Sequence, residues 1–144
     1  MIRDLHSNMR TKTAIKAGAN ASAAGQAGKI IDRQGYGGVE FIFNYGEITA
    51  TDATISVVVK EGSVTGTLTS VADADLLGTE ALAGVGAAAT RTSGVSKNVT
   101  KRVGYRGNKR YVQASIAAAT VSAAVKVSAT ALLHSPGLAP QDNP

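Results

Sequence analysis

The segment from Val99 to Ala119 reads VTKRVGYRGNKRYVQASIAAA, and it decides the fold that the sequence predicts. Residues 99–105 and 111–117 are rich in β-branched and aromatic side chains, which favour strands. Between them, Arg-Gly-Asn-Lys at 106–109 supplies glycine and asparagine, which tight connections use where φ is positive. We therefore predict a β-hairpin of two adjacent antiparallel strands.

This predicted hairpin is strongly basic, and no acidic residue falls between Lys97 and Arg110. Positive side chains keep an exposed strand from pairing with a wrong neighbour, so a solvated sheet edge is one interpretation. Contact with an acidic surface on another protein subunit is a second, and contact with nucleic acid phosphates is a third. The basic residues, which we call the cationic edge, are Lys97, Lys101, Arg102, Arg106, Lys109 and Arg110.

Other segments alternate apolar and polar residues between glycine, aspartate or proline signals. Val39 to Tyr45 is the clearest, since every second residue is large and apolar. About six strands with short turns and no sustained helical period predict an all-β fold. We expect a single β-sandwich or barrel of about six or more antiparallel strands. The further predicted strands are Lys29 to Arg33, Thr54 to Glu61, Val64 to Val71 and Val121 to Leu133.

The two termini differ from this pattern. Residues 1–28 begin polar and basic, continue as an alanine and glycine stretch, and have no convincing apolar face. We predict an extended N-terminal arm over 1–28, which is disordered in an isolated subunit or ordered by lying across a neighbour, and a flexible tail without a role is the alternative. The β domain is expected over 29–134, and a tail over 135–144, where all three prolines lie.

Charge and composition indicate association with other subunits. Six basic residues oppose two acidic ones over residues 1–33, whereas seven acidic residues oppose one lysine over 40–80. Such segregation favours contact between complementary patches on like or unlike subunits. Aromatic residues make up only 4% of the chain, so we expect a thin core of small side chains, supplemented by oligomerisation.

The sequence offers little for catalysis or metal binding. The chain has no cysteine, which excludes disulfides and thiolate metal sites, and its two histidines lie far apart in sequence. Asp73 and Asp75 have the spacing that opens a calcium loop, but Gly84 stands where its closing glutamate would be. No nucleophile elbow or phosphate loop is present. We expect no enzymatic activity and no cofactor.

No run of about eighteen apolar residues is present, and the N-terminus lacks the apolar core of a signal peptide. We therefore expect a soluble protein made in the cytoplasm, with no membrane partner.

Five segments carry a resemblance to known proteins: Met1 to Met9, Ile31 to Tyr36, Val71 to Gly78, Val103 to Val112 and Leu133 to Pro136. Together they resemble a family of tailed-bacteriophage and prophage minor capsid proteins, the head decoration or "cement" proteins. None of these segments is a chemical signature, and the alanine-rich runs at 84–90 and 117–124 depart from the usual form of the family.

The resemblance implies a structural protein of the virion that binds the outside of the phage head and stabilises contacts between major capsid subunits. Its expected partners are the major capsid protein and itself, as a homo-oligomer that we expect to be a trimer. A head–tail joining or tail-tube component is the alternative, and a non-specific nucleic-acid-binding module is the third. We expect no sequence-specific nucleic acid contact.

The expected partner contacts fall in two regions and combine basic side chains with apolar ones. From the arm they are Arg3, Leu5, Met9, Arg10, Lys12, Ile15 and Lys16, and from the cationic edge Lys101, Arg102, Arg106, Lys109 and Arg110.

Overall fold

A computed structural model describes residues 4–21, 24–120 and 125–138 of the chain. The described residues are predominantly β-strand, with one short helix, α1 (Glu80–Ala83), and two 3₁₀ turns, His6–Asn8 and Asp73–Asp75. The strands are β1 (Met9–Ala21), β2 (Ile30–Asp32), β3 (Tyr36–Tyr45), β4 (Thr54–Val64), β5 (Thr67–Ser70), β6 (Leu76–Leu77), β7 (Val99–Tyr105), β8 (Tyr111–Thr120) and β9 (Val125–Pro136).

The strands form two antiparallel sheets. One sheet has the order β1-β9-β3-β7-β6, and the other has the order β2-β8-β4-β5. They are not closed into a barrel, so of the two predicted forms the sandwich is confirmed. β1 and β2 are edge strands on one lateral side, where the Lys29 amide donates to the Ala14 carbonyl across the sheets at 2.7 Å.

The core is built from the alternation that the sequence shows over residues 39–45. Phe41 and Phe43 of β3 are fully buried, and each contributes roughly 1.5–3 kcal/mol by leaving water. Their partners on the neighbouring strand β9 are the small residues Ala131 and Ala129. Large and small side chains therefore alternate across the inner face, which fills the space between the sheets.

The predicted hairpin is wrong, although its two strands are present. Residues 99–105 form β7 in the five-stranded sheet, while 111–120 form β8 in the other sheet. A tight hairpin turn needs positive φ, and neither Gly107 nor Asn108 adopts it. Residues 106–110 instead cross from one sheet to the other, so that the apolar faces of both strands reach the same core.

The predicted separation of residues 1–28 from the β domain is wrong for Met9–Ala21, which is edge strand β1 paired with β9. The strand lacks the alternation of apolar and polar residues that is typical of strands, because its register with β9 shifts twice. The shifts lie between Thr13 and Ile15 and between Ile15 and Ala19. Such bulges add a residue and change which side chains face inward. Ala14, Ile15 and Ala19 are buried as a result.

The C-terminal strand extends further than the sequence predicts. β9 runs to Pro136, and the Gly137 amide donates to the Gly35 carbonyl at 2.8 Å. The start of the predicted strand, Val121 to Ala124, and the end of the predicted tail, residues 139–144, lie outside the described residues.

The segment around α1 covers an open part of β4. Thr79 caps α1 by accepting a hydrogen bond from the Leu82 amide at 3.1 Å. A Glu80 carboxylate oxygen accepts from the Val59 amide at 2.5 Å, and Val85 forms a β-bridge with Ile55. Backbone groups of β4 that β5 does not reach therefore have partners.

Candidate interaction surface

Two segments that are far apart in sequence meet at one end of the sandwich. β1 begins there, since Met9 pairs with His134 near the end of β9. β7 ends and β8 begins there, because Tyr105 pairs near the start of β3 and Tyr111 pairs with the last residue of β2. We call the partly or fully exposed basic residues at this place the basic end; they are Arg10, Lys12, Arg106, Lys109 and Arg110.

A buried arginine fixes the backbone of the basic end. The side chain of Arg33 is only 9% exposed, and its guanidinium lies 5.2 Å from the centre of the Tyr105 ring. It donates to the carbonyls of Lys109 and Gly107, both at 2.5 Å. It also donates to the carbonyl of Tyr36 at 3.0 Å. Arg33 thereby satisfies the carbonyls of a connection that makes no sheet ladder.

Tyr105 contacts the same connection from the protein core. Its hydroxyl donates to a Glu61 carboxylate oxygen and accepts from the Lys109 amide at 3.0 Å. Burial and the Glu61 hydrogen bond raise the pKa of Tyr105 to about 12. A methyl group at Gly107 would lie against the Tyr105 ring, so the connection needs glycine for close approach.

Asp32 joins the two parts of the basic end. Its carboxylate accepts two hydrogen bonds from Arg110, from Nε at 3.0 Å and from Nη2 at 2.7 Å. Its carbonyl accepts from the Lys12 ammonium at 2.9 Å. The bond to Arg110 is the main reason that the pKa of Asp32 is lowered. Among the described residues, Arg10 and Lys109 have no carboxylate within salt-bridge distance, so their charges remain available.

The structure separates the other predicted contact residues. Leu5 is 60% exposed and lies in the segment that directly precedes β1. Ile15 is only 2% exposed and belongs to the core, so the prediction that it contacts a partner is wrong. Lys16 is exposed on β1 beyond the first bulge, and Arg3 lies outside the described residues.

The cationic edge does not form one surface. Lys101 and Arg102 lie in the middle of β7, before the strand reaches the basic end at Tyr105. Arg102 Nε is 3.7 Å from the carboxylate of Glu40. Lys97 pairs with Glu47 at 2.8 Å in the loops beyond the other end of the strand. Arg106 donates to the Ala74 carbonyl, whose neighbours in sequence are both aspartates.

Charges that are segregated along the chain are therefore partly mixed in space. The acidic segment 40–80 supplies partners to the basic segment that begins at Lys97. Within the parts that the structure describes, the exposed lysines 16 and 29 of the first segment have no such ion pair. Among the described residues, free positive charge thus lies at the basic end, on the lateral side formed by β1 and β2, and at the exposed Lys60 and Lys126.

Arg91 is a second buried arginine, and sequence reasoning missed its role as it missed that of Arg33. It is 9% exposed and donates to the carbonyls of Ala53 at 2.5 Å, Gly86 at 2.8 Å and Ala50 at 2.9 Å. The available signal is a lone arginine beside glycine- and alanine-rich loops, whose carbonyls need donors.

The described residues contain no group of three or more histidine, cysteine or acidic side chains that could hold a metal ion. None of their helices combines the length and apolar character needed to cross a membrane. Comparison with protein-family models, curated proteins and solved structures finds no match to the chain.

Proposed function

We propose that the protein is a structural component of a tailed-phage virion, a minor capsid or decoration protein that binds the outside of the head and stabilises contacts between major capsid subunits. The observation that carries this proposal is the basic end, where the start of β1 and the connection at 106–110 meet. Both segments belong to the parts of the sequence that resemble the decoration family.

The geometry suits attachment to an acidic protein surface. Arg33 and Tyr105 hold the backbone of the connection in place, so the backbone loses little conformational entropy on binding. Each exposed ion pair is worth only about 0–1 kcal/mol. Simultaneous binding of several linked copies to a shell multiplies such contacts. Leu5, which is exposed in the segment before β1, adds apolar area.

A nucleic-acid function is less well supported by the same geometry. Single-stranded nucleic acid is held by aromatic side chains on which bases stack. Tyr105 is fully buried, and the Arg110 guanidinium lies 5.0 Å from the centre of the Tyr111 ring. The aromatic rings next to the basic end therefore already have protein partners, which leaves phosphate contacts alone.

The test is binding to shells assembled from the major capsid protein of the same virus without decoration protein. The double variant Arg10→Glu, Lys109→Glu reverses two free charges of the basic end. We expect it to fold normally and to bind shells at least roughly tenfold more weakly than the unaltered chain. The matched control Lys126→Glu, on the exposed side of β9, should bind normally. Equal binding by all three proteins would refute the proposal.

Removal of residues 1–8 separates the contribution of the N-terminal segment from that of the strand behind it. This deletion leaves β1 complete, whereas removal of 1–27 would expose the edge of β9. We expect a folded protein that binds shells more weakly, and high salt should weaken its remaining ionic contacts further, because salt screens ion pairs. The number of copies per virus particle distinguishes decoration from the alternative function. Many copies per head indicate a decoration protein, and a single ring of copies indicates a head–tail connector.

A further inference from the structure

The two lateral sides of the sandwich carry complementary chemistry. On the first side, edge strand β2 begins at Ile30, which is 38% exposed, and the exposed Lys29 precedes it. On the second side, β6 and α1 present Leu77 and Leu82, which are 45% and 67% exposed. An exposed lysine and a partly exposed isoleucine thus lie on one side, and a pair of leucines lies on the other.

A cleft of about 400 Å³ runs beside the two leucines. Glu40 and Arg102 also line this cleft, on the outer face of the five-stranded sheet. A Cβ at Gly104 would collide with the Glu40 carboxylate, so the glycine leaves room for that carboxylate to lie against the sheet. The cleft is therefore lined by the Glu40 carboxylate, its distant ion partner Arg102 and two leucines.

The Glu40 carboxylate is incompletely satisfied within the described chain. Its ion partner is Arg102 Nε at 3.7 Å, and the Arg102 side chain is 78% exposed and turned largely to solvent. Burial raises the pKa of Glu40, because little donation offsets the loss of water. A second cation that entered the cleft would stabilise this carboxylate.

We propose that copies of this chain associate side to side: Lys29 of one copy pairs with Glu40 of the next, and Ile30 packs against Leu77 and Leu82. The contact uses different surfaces on the two copies, so it is heterologous and generates a ring if the rotation closes. It leaves the basic end free and would supply the linked copies that the proposed function uses, and because it requires no shell it is tested separately from shell binding.

The experiment is sedimentation of the full chain at micromolar concentrations, without shells. The unaltered protein should self-associate. Lys29→Glu and Glu40→Lys should each weaken association roughly tenfold or more, because each brings like charges together. Leu82→Ser, at an exposed position, should weaken it without affecting folding. The control Lys126→Glu should associate like the unaltered chain.

Mixing the two charge variants gives the sharpest result. In an equimolar mixture, the introduced glutamate of the Lys29→Glu variant meets the introduced lysine of the Glu40→Lys variant. At the alternate contacts, the native Lys29 of the second variant meets the native Glu40 of the first. Association should therefore return in the mixture, although each variant alone fails. A monomeric unaltered chain would overturn the proposal, and so would a mixture of folded variants that stays dissociated.

Discussion

The two ends of the sandwich use the same device for different purposes. At each end a buried arginine donates to backbone carbonyls of irregular segments: Arg33 at the basic end, and Arg91 among the loops near residues 50–53 and 86–96. Each guanidinium supplies several donors in a fixed planar arrangement, which suits several carbonyls at once. Buried positive charge in this protein therefore indicates loop structure rather than a binding site.

The ends differ in what the fixed backbone displays. Arg33 and Tyr105 hold a connection that exposes Lys109 and Arg110 beside the start of β1. The loops around Arg91 expose Ser93 and Val95 and carry an internally paired Lys97. The exposed side chains, and not the buried arginines, therefore distinguish a candidate attachment surface from a structural loop.

The largest expected effect is the loss of either buried arginine. Arg33→Met and Arg91→Met each leave three or more carbonyls without a donor. We expect each variant to lose roughly 3–5 kcal/mol of unfolding free energy in urea denaturation. In the fraction of protein that remains folded, shell binding should fall for Arg33→Met alone. A loss below about 1 kcal/mol in either variant would show that water replaces the guanidinium.

A smaller effect is expected from adding one methyl group at each end. Gly107→Ala places Cβ against the Tyr105 ring, and should lose about 1–3 kcal/mol through overpacking. Gly86→Ala is the matched control, since nothing lies within 4 Å of its Cβ and its φ is not positive. Its unfolding free energy should change by less than about 1 kcal/mol. Similar losses in both variants would remove the distinction between the two sites.

The smallest effect is a loss of stability in alkaline solution. The pKa of Tyr105 is about 12 in the folded protein, against an ordinary value of 10.0. Between these values the unfolded chain releases a proton that the folded chain retains, so stability falls as pH rises. Below about pH 10 the contribution is fully present. Tyr45, at the other end, is buried, donates to the Ala83 carbonyl at 2.7 Å, and has its pKa raised by burial.

Tyr105→Phe should therefore reduce the alkaline loss without abolishing it, because Tyr45 still contributes. The measurement is the unfolding free energy in urea at about pH 9 and about pH 11, compared between this variant and Tyr45→Phe. An identical pH dependence in Tyr105→Phe and the unaltered chain would contradict the assigned burial of Tyr105.

The sequence predicts these strands well because the residue types within each strand reflect which of its side chains are buried. Val39 to Tyr45 alternates and Val99 to Tyr105 is rich in β-branched and aromatic residues, and both strands have the predicted bounds to within a few residues. Pairing depends on the rest of the chain, so the connection at 106–110 was open to a hairpin or a crossing between sheets. β1 escapes prediction because its bulges break the alternation.

The candidate site was predictable in part. Composition singles out Arg10, Lys12, Lys109 and Arg110, but only the strand register brings them to one end. The burial of Ile15 and the roles of Arg33 and Arg91 depend on long-range packing, which local patterns do not encode.

The most direct test of the basic end as the attachment surface is site-specific thiol labelling, since the chain contains no cysteine. Asn108→Cys places a thiol at the exposed basic end, and Ser93→Cys places one in the exposed loop at the opposite end. Alkylation rates are measured for each variant free and bound to shells. We predict that shells slow alkylation of Asn108→Cys roughly tenfold or more, because a bound interface excludes water and reagent, and leave Ser93→Cys unchanged. Protection of Ser93→Cys with free reaction of Asn108→Cys would contradict the account.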